Sequence, residues 1–185
     1  LLVDPNPWPG NDALDAPTLS MSWFAPSDDG ERVAYGVTEG GDEQYDVHVV
    51  SVPDAEEIAV REDCGRVNPG MFAWLPDGRG VSYVATGGAD DGGQMDKELR
   101  RWRFDGGEET LFEHDDQHVW PILTTDPETG LLAVGFSEMV GGVDWSVWVD
   151  GGLRPVVESD AETYVDFHEG TAFLLTDHEA PRKRL

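Results

Sequence analysis

The stretch that decides the fold is LSMSWFAPSDDGERVAYGV, residues 19–37, in which two alternating apolar runs flank an acidic turn that contains glycine. Alternation with period two is typical of β-strands, and Asp and Gly between such runs favour a tight turn. Similar hairpins follow at MFAWLPDGRGVSYVA from Met71, ILTTDPETGLLAVGF from Ile122 and YVDFHEGTAFLLT from Tyr164. Their turn glycines, Gly30, Gly78, Gly130 and Gly170, are 40 to 52 residues apart. The chain therefore carries the same hairpin four times.

A second pair of strands follows each of the first three hairpins. Alternating runs start at Asp46 (DVHVVSV), Glu98 (ELRRWRF) and Asp144 (DWSVWV), and each leads through a polar turn into a short apolar run. Four strands in about 40–50 residues is the period of a β-propeller blade. A β-sandwich with regular strand spacing is the alternative, but it would not repeat this order of strands and turns.

The predicted fold class is therefore all-β, a partial β-propeller of about three and a half four-stranded antiparallel blades. We place the blades at residues 19–62, 69–114, 118–159 and, incompletely, 162–185. Because the last unit stops in mid-blade, one sheet face lacks the cover that a following blade would give. Such a face favours self-association of the chain.

The charge balance restricts the partners. The chain has 38 acidic and 12 basic residues and a formal net charge of −26, which disfavours nucleic acid and anionic membranes. Two interpretations of the acidity remain, a docking face for cationic partners and a surface adapted to concentrated salt. The even spread of carboxylates along the chain favours the second, which is typical of proteins from halophiles.

No run of residues approaches the ~20 apolar residues of a membrane span, and no signal sequence precedes the first hairpin. Cys64 is the single cysteine, so an internal disulfide and an oxidising compartment are not indicated. We therefore expect a cytoplasmic protein.

Several segments together resemble the prolyl oligopeptidase family of serine peptidases. These are LLVDPNPW at the start, SDDGERVAYGVTEGGDE in the first blade, GRVNPGMFAWLPDGRGVSYV in the second, and the later KELRRWRF and HEGTAFLLTDHEAPRKRL. The resemblance implies a seven-bladed propeller that covers an α/β-hydrolase domain. It also implies an enzyme that cleaves short peptides after proline, with the propeller admitting oligopeptides and excluding folded proteins. The partners expected are the hydrolase domain of the same parent chain and short proline-containing peptides.

The resemblance also suggests a substrate-pocket rim at Asn68 and Pro69. Many family members carry an aromatic residue before the Ala73-Trp74 pair, and Pro69 takes its place in this sequence. The alternative for Asn68-Pro69-Gly70 is a tight turn that leads into the strand.

The sequence contains no catalytic serine motif. A hydrolase of this kind needs G-x-S-x-G at a sharp strand-to-helix turn, and Ser137 in GFSEM lacks the second glycine. We therefore expect a non-catalytic chain that lacks the Ser-Asp-His triad, with the hydrolase domain outside it.

Two segments could suggest a metal site. His114 and His118 are four residues apart, but we interpret them as solvated loop histidines. Thr86–Asp96 offers carboxylates and glycines, but it lacks the ligand alternation of a calcium loop and is interpreted as an exposed loop. No metal or other cofactor is expected.

Two functions remain open. One is the substrate-gating propeller of a prolyl oligopeptidase-like endopeptidase, and the other is a stand-alone propeller that binds other proteins as a scaffold.

Overall fold

The structure is a computed structural model that describes residues 3, 19–87, 96–138, 142–158 and 161–179. In these residues the regular structure consists of β-strands and one 3₁₀ turn at Pro69–Met71. The strands are β1 (Leu19–Pro26), β2 (Arg32–Glu39), β3 (Asp46–Ser51), β4 (Glu57–Arg61), β5 (Phe72–Trp74), β6 (Gly80–Thr86), β7 (Lys97–Arg103), β8 (Gly107–His114), β9 (Val119–Thr125), β10 (Leu132–Glu138), β11 (Val143–Val149), β12 (Gly152–Val157), β13 (Thr163–His168) and β14 (Thr171–Thr176).

Consecutive strands form the sheets. Strands β1–β4, β5–β8 and β9–β12 make three four-stranded antiparallel sheets in chain order, and β13 pairs with β14 in a fourth sheet of two strands. Within each sheet, every strand pairs with the strand that precedes or follows it in the sequence, as expected for propeller blades. The predicted fold class is confirmed.

The first strand of each sheet lies on the inside of the arrangement. Strand β9 contacts both β5 and β13, and the 3₁₀ turn before β5 contacts both β1 and β9. We call the surface formed by β1, β5, β9, β13 and this turn the axial surface. Its hairpin end is where the first strand of each sheet turns into the second, and its linker end is where the chain passes between sheets.

Aromatic residues fill the gap between the first two sheets. Trp23, Trp74 and Trp102 are buried there, and the ring centroids of Trp23 and Phe72 are 5.4 Å apart. A Cβ built on Gly36 would lie 2.2 Å from Nε1 of Trp23, so only glycine lets this indole lie flat on β2. These tryptophans belong to the core, whereas Trp148 is half-buried at the edge of the next core cluster.

Adjacent hairpin turns touch one another. Gly78 has φ +63°, which favours glycine, and a Cβ built on it would lie 2.6 Å from Nη1 of Arg32 in the preceding sheet. At the next hairpin, a Cβ built on Gly130 would lie 3.2 Å from Cγ of Pro76. The repeated turn glycine therefore serves both the turn and the approach of neighbouring sheets.

Candidate functional site: the axial surface

The axial surface is built from edge strands. Strands β1, β5 and β9 are each the terminal strand of their sheet, so each pairs with one neighbour only. One side of each backbone is therefore outside the ladder of its own sheet. This surface consequently combines side chains with main-chain groups that are able to bind a ligand.

Asn68 and Pro69 lie at the linker end of this surface, in the turn that contacts β1 and β9. Oδ1 of Asn68 accepts a hydrogen bond of 2.9 Å from the backbone N–H of Gly70, and Pro69 begins the 3₁₀ turn. Asn68, Pro69 and Gly70 are all exposed. The structure thus contains the tight turn that the sequence allowed, and a role for Asn68 and Pro69 at a substrate-pocket rim stays a prediction.

A groove of about 210 Å³ opens at the hairpin end. We call it the axial groove. Its walls are Phe72–Trp74, Leu123–Thr125 and, from the end of β1 and its turn, Ala25, Pro26 and Asp28. The indole N–H of Trp74 donates a 3.3 Å hydrogen bond to the carbonyl oxygen of Ala25, which links the first two sheets across the groove.

An ionic cluster joins the outer strands of the same two sheets. The carboxylate of Glu108 on β8 accepts hydrogen bonds from Nε and Nη2 of Arg61 on β4, at 3.0 and 3.2 Å. It also accepts one of 2.7 Å from the hydroxyl of Tyr83 and one of 3.3 Å from Nη1 of Arg100. A bidentate arginine–carboxylate pair is among the stronger polar contacts in proteins. This cluster, which we call the Glu108 cluster, therefore supports the spacing of the sheets far from the axis.

The contacts within the Glu108 cluster shift the pKa values of its members. Burial opposes the charge of Glu108, but the hydrogen bonds from Arg61 and Tyr83 outweigh it and hold the pKa of this carboxyl below its usual value. The hydrogen bonds that Arg61 donates to Glu108 raise the pKa of Arg61. Burial is the main cause of the raised pKa of Tyr83. Glu108 and Arg61 are thus charged and Tyr83 neutral near pH 7, the states that the geometry requires.

The candidate metal residues do not form a site in the part of the chain that the structure describes. No group of three or more His, Cys, Asp or Glu side chains there has an arrangement suited to a metal ion. The interpretation of His114 as a loop residue is wrong, because it ends β8 and its half-buried ring lies 5.4 Å from that of Phe136. His118 is exposed in the linker. Within the Thr86–Asp96 segment, residues 88–95 lie outside the described residues.

Ser137, the nearest approach to a nucleophile motif, lies within β10, and its hydroxyl donates to the carbonyl oxygen of Glu138 at 3.3 Å. A strand position does not provide the sharp turn that presents a nucleophilic serine.

Across the described ranges, no helix has the length and apolar character needed to cross a bilayer.

The sheets, their order and the axial surface define a propeller domain. The family model described as prolyl oligopeptidase, N-terminal beta-propeller domain, matches residues 1–185. The chain belongs to the prolyl oligopeptidase family, and it forms part of the N-terminal propeller of such a protein.

Solved structures support the fold. A prolyl endopeptidase studied for the role of inter-domain dynamics in catalysis and specificity superposes with a TM-score of 0.79 at 22% identity, over 99% of this chain and 28% of its own length. Prolyl oligopeptidase B from Galerina marginata superposes with a TM-score of 0.74 at 15% identity, over 97% of this chain and 28% of its own length. Oligopeptidase B from Leishmania major superposes with a TM-score of 0.63 at 15% identity, over 88% of this chain and 23% of its own length. The chain thus spans about a quarter of the length of these relatives.

Sequence reasoning missed the axial groove and the Glu108 cluster. Arg61 and Glu108 are 47 residues apart, about one blade period. Opposite charges one period apart could have indicated a contact between neighbouring sheets, but the pattern does not say which of the many acidic residues is involved.

Proposed function

We propose that this chain forms part of the substrate-gating propeller of a serine endopeptidase that cleaves short peptides after proline. The family assignment carries this proposal, because the relatives it resembles are prolyl oligopeptidases and prolyl endopeptidases. In this proposal the blades are those at residues 19–62, 69–114, 118–159 and 162–185, and an α/β-hydrolase domain outside this chain supplies the Ser-Asp-His triad. The expected location is the cytoplasm.

The topology supports a gating role. The turn with Asn68 and Pro69 leads directly into Phe72, which lines the axial groove, so a peptide that passes along the axis meets both. Edge strands and a narrow groove suit an extended chain, whereas a folded protein presents a surface too wide to enter. We therefore propose that the axial surface selects substrates by width and that Asn68 and Pro69 border the pocket at its linker end.

The test uses an intact protein that contains this chain, assayed in molar salt with a chromogenic Gly-Pro substrate and a matched Gly-Ala substrate. We expect cleavage of the Gly-Pro substrate only. Cleavage of neither would favour the scaffold propeller, and equal cleavage of both would exclude proline specificity.

We also propose that the acidity is an adaptation to concentrated salt. With a net charge of −26, repulsion among carboxylates weakens as the Debye length falls from ~10 Å at 0.1 M salt to ~3 Å at 1 M. The melting temperature is expected to rise between 0.1 and 2 M KCl, and each kcal/mol gained corresponds to about 2–4 °C for a chain of this size. Sucrose at matched osmolality is the control, and a melting temperature independent of KCl would contradict the proposal.

Self-association is proposed for the chain when it is studied alone. Tyr164, Phe173 and Leu175 are exposed large apolar residues on one face of the two-stranded sheet, where Tyr164 and Leu175 are directly opposed. Apolar patches of this kind favour contacts between copies. Sedimentation equilibrium is expected to give a mass above the 20.3 kDa of the monomer. A monomer at every protein concentration would contradict this expectation.

A further inference from the structure

Asp-Gly pairs recur in the turns of this chain. They stand at residues 29–30, 77–78, 91–92, 105–106 and 150–151, and the pair at 91–92 lies outside the described residues. In an Asp-Gly pair the glycine nitrogen reaches the aspartate side chain readily, because glycine has no Cβ to hinder the approach. In a folded protein this attack also depends on how each turn holds its carboxyl group, so the described pairs differ in reactivity.

The reaction is a rearrangement of the main chain that needs only water. The glycine nitrogen forms a bond to Cγ of the aspartate, and the amide proton leaves with the carboxyl hydroxyl as water. Hydrolysis of the resulting succinimide ring at the main-chain carbonyl leaves the two residues linked through Cγ, with a free α-carboxylate. The product is isoaspartate, which lengthens the main chain by one methylene group. The neutral carboxyl group is the reactive form, since an ionised carboxylate is a poor electrophile.

The first described pair holds its carboxylate in place. Asp29 accepts hydrogen bonds from the hydroxyl of Ser27 and, at 2.9 Å, from the backbone N–H of Glu31. It also pairs with Arg32 at 3.0 Å. These contacts, the Ser27 bond above all, lower the pKa of Asp29. The carboxylate is therefore fixed and ionised, and the turn resists the attack.

The second pair is restrained in the same way. Asp77 accepts a hydrogen bond of 3.0 Å from the backbone N–H of Arg79 and pairs with Arg103. Both contacts lower the pKa of Asp77, and the bond from Arg79 contributes most. The side chain of Arg32 also approaches Gly78 closely, which leaves this turn little room to rearrange.

The fourth described pair has one weak restraint. The carboxylate of Asp150 lies 2.8 Å from Nη2 of Arg154, but both side chains are exposed. Exposed ion pairs of this kind contribute little to stability. We therefore expect the reactivity of Asp150 to be intermediate.

The third pair, Asp105-Gly106, has none of these side-chain restraints. Asp105 is exposed in the turn between β7 and β8, and its carboxylate has no hydrogen bond or ion pair with any described residue. A Cβ built on Gly106 would meet nothing within 4 Å. The N–H of Gly106 donates a bond of 3.1 Å to the carbonyl oxygen of Arg103, and this single bond is what the attack must break. The turn is thus free to bring the Gly106 nitrogen against Cγ of Asp105.

We propose that Asp105 isomerises in the folded protein ahead of the other described Asp-Gly pairs, and that this modification loosens the Glu108 cluster. Arg103 and Gly107 are directly paired in the ladder of β7 and β8, so the turn between them has a fixed span. An additional methylene group in this turn displaces the start of β8, where Glu108 lies. The bidentate contact with Arg61 requires an aligned carboxylate. The inference does not depend on the proposed peptidase function.

The test measures isoaspartate at each pair in the intact protein. One sample is kept folded in molar KCl for several weeks at physiological temperature, and a second is kept unfolded in guanidinium chloride at the same pH. Peptides are then analysed by mass spectrometry with electron-based fragmentation, which distinguishes isoaspartate from aspartate and locates it. The unfolded sample gives the rate of each pair without the folded structure.

In the folded protein, Asp105 is expected to react within about threefold of its unfolded rate, whereas Asp29 and Asp77 react about tenfold or more below theirs. Ser27→Ala removes the main restraint on Asp29 and is expected to raise the rate at that position alone. Asp105→Glu is the matched control for the Glu108 cluster, because glutamate would have to close a larger ring and does so slowly. After storage, the wild type is expected to unfold at a lower denaturant concentration than the stored Asp105→Glu protein.

A folded-state rate at Asp105 no higher than at Asp29 and Asp77 would overturn the inference. Equal unfolding midpoints for the stored wild type and the stored Asp105→Glu protein would overturn its link to the Glu108 cluster. If Asp105→Glu does not fold, the midpoints of fresh and stored wild type are compared instead, and a midpoint that does not fall as isoaspartate accumulates at Asp105 contradicts that link.

Discussion

Replacement of Trp74 by alanine is expected to lower the free energy of unfolding by about 3–5 kcal/mol. Trp74 is 7% exposed, and its ring makes edge contacts with Phe72 and Phe104 at centroid distances of 5.8 and 6.0 Å. The variant removes this packing and also the bond to the carbonyl of Ala25. Denaturant titration followed by circular dichroism measures the change.

Two variants make this expectation specific to the gap between the first two sheets. Trp74→Phe keeps most of the apolar contact and loses the indole N–H. It is therefore expected to lower the free energy of unfolding by about half as much as the alanine variant, or less. Phe24→Ala removes an aromatic side chain that is 64% exposed on the neighbouring β1. It is expected to lower the free energy of unfolding by less than about 1 kcal/mol. Equal losses for Trp74→Ala and Phe24→Ala would contradict the described core.

Glu108→Gln is expected to lower the free energy of unfolding by about 1–2 kcal/mol, after allowance for its partial exposure. The amide replaces a charged acceptor shared by Arg61, Arg100 and Tyr83 with a neutral group that cannot satisfy all three. Glu109→Gln is the matched control, because among the described residues Glu109 has one ion pair, of 3.4 Å, with Arg101. The control is expected to cost less than about 0.5 kcal/mol, and an equal effect of both variants would exclude a special role for the Glu108 cluster.

The contribution of Glu108 should also depend on pH. Because the folded protein holds the pKa of Glu108 below its ordinary value of 4.5, the stabilisation is complete above that value. It is lost as the pH falls through the lowered pKa of the folded state. The difference in stability between wild type and Glu108→Gln is therefore expected to be constant near neutral pH and to shrink in acid, whereas a difference that does not shrink would contradict the charge-based account.

The repeated hairpin was sufficient to predict the fold because each part of it has a local physical cause. The apolar run VAYGV, residues 33–37, suits a strand that is buried on both faces of its sheet, and the turn glycines such as Gly78 are needed where φ is positive. Local patterns of this kind determine strands and turns, and their order determines the sheets.

The contacts between sheets could not be predicted in the same way. Trp145 rather than Trp148 is the deeply buried tryptophan of β11, and its indole N–H donates to the carbonyl of Thr163 in the next sheet at 2.9 Å. His114 extends β8 instead of ending in a loop. In both cases the environment is set by the neighbouring sheet, which the linear pattern does not contain. The axial groove arises in the same way, because its walls come from three separate sheets.

The most direct measurement of the central claim compares substrates of different width in an intact protein that contains this chain. One substrate is a peptide of about ten residues with an internal Gly-Pro, and the other is a stable folded protein that presents the same ten residues in a surface loop. If the propeller limits access, the free peptide is cleaved after proline and the loop is left intact under the same conditions. Cleavage of both substrates at similar rates would contradict the gating role that we assign to this propeller.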